Sequence, residues 1–159
     1  MWKAAMRLVV LTLWGVTWLG VLESEAQGIG YVLAGPVGVS GFYGRGTTGH
    51  VGVGGELLLR NQFAIGAEIG LMSYAAVFAV NGGAHFVRDR SRRLVPFASG
   101  GYVKWSSNEG SFDGMNVAAG ADYWFKQRLG MRIEVRDHIR PDSRGTVQYW
   151  SFRAGVAFR

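Results

Sequence analysis

The sequence has 159 residues, enough for one domain and short for two. Twenty-five glycines against three prolines, with 13% aromatic residues, exclude a disordered proline/glycine tract and favour sheet over helix. No cysteine is present, which excludes disulfides and thiolate metal sites, and the +6 net charge is spread over segments and turns rather than gathered in a nucleic-acid-binding run.

The chain opens on "MWKAAMR", with Lys3 and Arg7, followed by the apolar run Leu8 to Leu22 and then "ESEAQ". Ser24 and Ala26 stand at the small-residue positions of a cleavage site, the layout of a Sec-type signal peptide. A spanning helix needs about 20 apolar residues and has no such site. The expected division is a cleavable leader over 1–26 and a single domain over 27–159. N-terminal sequencing of the exported protein should begin at Gln27; a retained Met1 would contradict the leader.

From Gly28 the same rhythm returns eight times, apolar residues alternating with small or polar ones, which is the period of a β-strand. Segment one carries Ile29, Tyr31, Leu33, Val37 and Val39 on one face. The glycine-rich "GFYGRGTTG" reads as a loop before segment two, with Val51, Val53, Leu57 and Leu59. A short turn at Asn61 leads to segment three, with Phe63, Ile65, Ala67, Ile69 and Leu71. Segment four carries Phe78, Val80, Ala84 and Phe86. The basic turn "RDRSRR" precedes segment five, with Val95, Phe97, Val103 and Trp105. After the loop "SSNEGSFDG", segment six carries Val117, Ala119, Ala121, Tyr123 and Phe125. A tight "KQR" turn gives segment seven, with Leu129, Met131, Ile133 and Val135. The loop "HIRPDSRGT" leads to the last segment, with Trp150, Phe152, Ala154, Val156 and Phe158.

The two faces differ in kind. The apolar set contains no charge. The other holds Glu56, Glu68, His85, Lys104, Asp122, Arg132, Glu134, Arg136 and Arg153 among glycines and alanines. In a soluble sandwich or a ligand-carrying soluble barrel the charged face would meet water, and it would be rich in long, free polar side chains. Here it is small residues with opposed charges, which suits the cramped interior of an eight-stranded barrel with its apolar face toward lipid. The expected fold is all-β: an eight-stranded antiparallel up-and-down transmembrane β-barrel. Trp105, Tyr123, Phe125, Phe63, Phe86, Trp150 and Phe158 fall near segment ends, where interfacial girdles belong.

The plan over residues 27–159 resembles the small outer-membrane barrels of the OmpA/OmpX and opacity-protein kind. The pieces that carry the resemblance are "GGELLLRNQFAIGAEIGL", "VPFASGGYVKW", "NVAAGADYWF", "MRIEVRDH" and the aromatic-alternating last segment. It implies a place in the cell outer membrane, contact with outer-membrane lipid and lipopolysaccharide, passage through the barrel-assembly machinery, and an extracellular ligand held by surface loops. Two features depart from the pattern. Arg159 follows the terminal aromatic Phe158, and Pro36 interrupts segment one, where a bulge or break is expected because proline donates no ladder hydrogen bond.

Glu56, Glu68, Asp122, Glu134, Arg136 and Arg153 lie at similar heights up their strands and are the candidate site: an ion network closing the lumen. Its functional counterpart is a gate or selective pore. Enzymatic signals are poor. His138, Asp142 and Ser143 share one segment, but the serine has no nucleophile-elbow context. His50 and His85 have no partner at ligand spacing, so no metal or other cofactor is expected. Two alternatives accompany the non-enzymatic membrane barrel. One is a lipid A-modifying outer-membrane enzyme, the other a soluble periplasmic barrel carrying an apolar ligand.

Overall fold

In the computed structural model the described residues are 27–41, 44–59, 62–73, 75–87, 92–108 and 110–159. The expected leader, 1–26, and the turn at Asn61 lie outside them. Eight strands follow in order: β1 Gln27–Gly41, β2 Gly44–Leu58, β3 Phe63–Met72, β4 Ala75–His85, β5 Leu94–Ser107, β6 Gly110–Trp124, β7 Leu129–Asp142 and β8 Gly145–Phe158. Each pairs antiparallel with the next, and β1 pairs with β8 to close the barrel.

The strands outrun the segments read from sequence. Most of "GFYGRGTTG", "SSNEGSFDG" and "HIRPDSRGT", read as loops, belongs to strand ends: β1 runs to Gly41 and β2 restarts at Gly44, β5 ends at Ser107 and β6 starts at Gly110, and β7 ends at Asp142 with β8 at Gly145. Glycine enables the last two reversals. Gly110 and Gly145 open their strands at φ of 134° and 136°, a geometry that side chains disfavour. The longer connections therefore sit at the end that carries the termini, between β2 and β3, β4 and β5, and β6 and β7.

Residues directly opposite in an antiparallel pair share a face. On β2, β3, β4, β6, β7 and β8 the apolar set points outward, as in Ile65 (52% exposed) and Ile133 (41%). On β1 and β5 the facing is the reverse of that expected. Ile29, Tyr31, Leu33 and Val37, and likewise Val95, Phe97, Val103 and Trp105, are buried inside, while Val32, Tyr102 and Lys104 point out. Register forces this: Val32 lies opposite Val53 and Val156, and Tyr102 opposite Val80 and Met115, all of which face outward. Trp105 accordingly leaves the girdle and Lys104 leaves the lumen, where it pairs across the outer wall with Asp113 at 3.3 Å.

Pro36 causes a break without a bulge. The β1–β2 register runs through it unshifted, whereas the β1–β8 ladder lapses between Ala34↔Ala154 and Val37↔Ser151 and resumes in the same register. A side chain at Gly35 would stand 1.9 Å from the Phe152 carbonyl oxygen, so the two backbones press together at this point.

The inverted strands fill the barrel. At the terminus-bearing end Ile29, Tyr31, Leu33, Leu58, Ala64, Val95, Trp124 and Ala157 form one apolar cluster. At the hairpin end Val37, Met72, Val77, Ala79, Val103 and Trp105 form another. The charged side chains lie in the lumen as well.

Candidate functional site: an ion network inside the barrel

Strand register sets the charges into reach of one another. Asp122 lies opposite Arg132 on β6 and β7, and Glu134 opposite Arg153 on β7 and β8, so each pair starts on one face at one height. Glycine makes the room. A side chain at Gly54 would stand 2.5 Å from the Tyr31 ring, and one at Gly52 would stand 2.8 Å from a Glu68 carboxylate oxygen.

Two linked groups result. In the first, Arg132 is clamped between carboxylates: its Nε donates to Asp122 at 2.6 Å and its Nη1 to Glu56 at 2.7 Å. The His85 ring lies 3.0 Å from the other Glu56 oxygen. The guanidinium carbon lies over the Tyr31 ring at 4.4 Å and the Phe97 ring at 4.3 Å, so aromatics from both inverted strands cover the cation.

In the second group Arg153 bridges two acids. It donates to both Glu68 oxygens, one through Nη2 at 2.9 Å, and to Glu134 at 2.5 Å. Arg136 donates to the same Glu134 oxygen, Nε to Oε1 at 2.7 Å, and through Nη2 to Oε2 at 3.2 Å, and it also donates to Asn116 at 3.2 Å. Tyr31 joins the groups, its hydroxyl donating to Glu68 at 3.2 Å while its ring carries Arg132. Arg132, Glu134, Arg136 and Arg153 are each no more than 2% exposed. Charges taken so far from water are tolerated only when paired with good geometry, and each of these is.

All six residues named from the sequence meet here. Arg132, His85 and Tyr31 also belong, and sequence reasoning did not place them in the network. Arg132 and His85 stood on the charged face with nothing to rank them. Tyr31 was assigned to lipid by the wrong facing of β1. Packing is close: the cavity lined by Tyr31, Glu56, Asn81 and His85 measures about 10 Å³, the space of a single water.

Of the residues weighed for catalysis, Asp142 and Ser143 meet, but His138 bonds to neither. His138 is fully buried, with neither ring nitrogen hydrogen-bonded, between the rings of His50 and Trp105 at 5.7 and 5.9 Å. Ser143 is exposed and its hydroxyl meets only the adjacent Asp142, at 3.5 Å. Among the described residues no group of three histidines, cysteines or acids is arranged to hold a metal ion.

No family model matches this sequence, and no curated protein matches it. Solved structures do match. Neisserial surface protein A superposes at a TM-score of 0.62 with 12% identity, over 85% of this chain and 99% of that one. The N-terminal β-barrel domain of Pseudomonas aeruginosa OprF gives 0.61 and 16%, over 84% and 98%. A de novo designed transmembrane β-barrel gives 0.55 and 19%, over 80% and 93%. At such identities the likeness is one of fold: a small, closed, eight-stranded barrel of the transmembrane kind.

Proposed function

We propose that the protein is an exported, integral outer-membrane barrel with a structural, non-enzymatic role, its lumen closed by the ion network. The observation that carries this reading is the inside-out distribution of polarity. Ile65, Ile69, Leu71, Phe78, Val117, Ile133, Phe152 and Val156 are exposed on the outer wall, while Arg132, Arg136, Arg153, Glu68, Asp122 and Glu134 are buried within. A soluble protein seldom exposes so continuous an apolar surface, and lipid is the solvent that suits it. Along β8 the outward residues from Trp150 to Phe158 cover a height of roughly 20 Å at the usual strand tilt, close to the ~25 Å band of outer-membrane barrels.

The same distribution weighs against a soluble carrier, because the apolar side chains that would line its ligand cavity face outward or pack in the two closed end clusters. The separation of His138 from Ser143 removes the support for an acyl-transfer enzyme. A ligand held by long surface loops loses its basis too, since on that side the strands leave connections of only two residues, 42–43, 73–74, 108–109 and 143–144. An adhesive role would instead use the hairpin tips.

The test is fractionation with gel migration. The protein should sediment with outer membranes and run faster unheated than boiled, and planar-bilayer recordings should show at most small, rare conductance steps. A soluble periplasmic pool overturns the membrane reading. Large, steady channels overturn the closed lumen and leave the membrane reading standing.

A further inference from the structure

Residues 27–159 hold fifteen lysines and arginines against nine acids, a net charge of 15 − 9 = +6. In sequence order they look scattered. The fold gathers them. Among the described residues the lumen and the hairpin end are close to neutral, whereas the other end carries five cations, Arg92, Arg93, Lys126, Arg128 and Arg159, and no acidic side chain. Arg92 and Arg93, just before β5, supply two of these cations.

Their placement relative to the apolar wall is regular. Arg93 adjoins Leu94 at the start of β5, Lys126 adjoins Phe125 after β6, and Arg159 adjoins Phe158 after β8. Leu94, Phe125 and Phe158 are each exposed on the outer wall. Arg92, Arg93, Lys126 and Arg128 are exposed as well. Arg159 is fixed at the rim, its guanidinium over the Trp124 ring at 4.4 Å and its Nε donating to the Gln127 carbonyl at 2.8 Å. Where the strands' lipid-facing side chains stop, a cation begins. That sequence of groups repeats the order met on leaving a bilayer, acyl chain first and charged headgroup next.

We propose that this end of the barrel is a collar for anionic glycerophospholipids, which recruits them from the membrane leaflet beside it through Arg92, Arg93, Lys126 and Arg128. The collar rests on the membrane reading above, and it adds a lipid preference that a barrel needs neither to fold nor to stay closed. Juxtamembrane cations attract anionic headgroups, and the attraction is screened by salt.

The experiment uses the mature protein folded into phosphatidylcholine vesicles, with spin-labelled phosphatidylglycerol or phosphatidylcholine added as the probe. The immobilised fraction of each gives a relative affinity. Wild type should prefer phosphatidylglycerol by at least about threefold, falling toward parity in about 0.5 M salt. Arg92→Ser/Arg93→Ser/Arg128→Ser should lose most of that preference, whereas Arg45→Ser at the hairpin end should keep it. Protease protection scores insertion separately. Protein that inserts but shows equal affinities, or the same preference in the triple variant, overturns the collar alone. Protein that fails to insert overturns the membrane reading and the collar with it. Arginine-dependent binding of soluble polyphosphate by micellar protein, without any lipid preference in bilayers, would reassign the face to a soluble polyanion and overturn the lipid assignment.

Discussion

Arg153→Ala should lower stability by about 3–5 kcal/mol, the cost of leaving buried carboxylates without their cation. Arg153 is fully buried and is shared by Glu68 and Glu134. The two acids do not lose equally. Glu134 keeps Arg136 at 2.7 Å, while Glu68 is left with the Tyr31 hydroxyl at 3.2 Å, His50 at 3.8 Å and Arg136 at 3.9 Å. Neutralising the more isolated acid should therefore help more. In the Arg153→Ala background, Glu68→Gln should recover a larger share of the lost stability than Glu134→Gln. Unfolding midpoints in urea, read in one micelle or lipid throughout, give the comparison. The single variant should also conduct more often than wild type and favour cations, because the four acids of the network would then face two arginines instead of three. An unchanged midpoint with unchanged conductance would mean that the network closes nothing.

Ile65→Arg and Ile133→Arg should each cost about 2–4 kcal/mol in a bilayer, the depth-dependent expense of a cation on the lipid face near mid-membrane. Ile65 on β3 and Ile133 on β7 are 52% and 41% exposed, so neither substitution opens a cavity or crowds a neighbour. In a soluble barrel both changes would be close to neutral, which makes them a test of the solvent rather than of packing. Arginine at the inward Ala118 acts differently, through crowding and charge balance, and its penalty should persist in detergent. Val103→Arg belongs with Ala118 rather than with Ile65, because the structure buries Val103 against Met72, Val77 and Trp105. If both isoleucine variants fold into bilayers as readily as wild type, the outer wall is not the lipid face and the soluble barrel gains.

The alternation of β7 and β8 shows how much can be read without a structure. "LGMRIEVR" and "WSFRAGVAF" separate apolar residues from charged or small ones at every step, and each charge singled out there faces the lumen. The candidate network was legible for the same reason, since its charges on β2, β3, β6, β7 and β8 lie across the strand from apolar residues; Lys104 on β5, read the same way, points outward instead. β1 and β5 resisted that reasoning. Their inward faces are apolar, as in Tyr31, Leu33, Phe97 and Val103, but their outward faces mix small residues, Gly30, Ala34, Ala98 and Gly100, with Val32, Tyr102 and Lys104, so composition alone does not tell inside from outside.

Amino-acid order by itself determined that the domain is all-β, that it has eight strands, and which side chains share a face, because a two-residue period is a property of the backbone. Which face looks inward was decided strand by strand through pairing. Once β1 turns back after Gly41, Val32 must lie opposite Val53, and Tyr31 is carried inside to hold Arg132 and Glu68. The short reversals at Gly110 and Gly145 were likewise hidden in stretches polar enough to pass for loops. Closure decided the rest, since only in the closed barrel do Glu56 on β2 and Arg132 on β7, 76 residues apart, come within 2.7 Å. Local periodicity constrains neighbours along the chain, and contacts that depend on shutting the sheet on itself are beyond its reach.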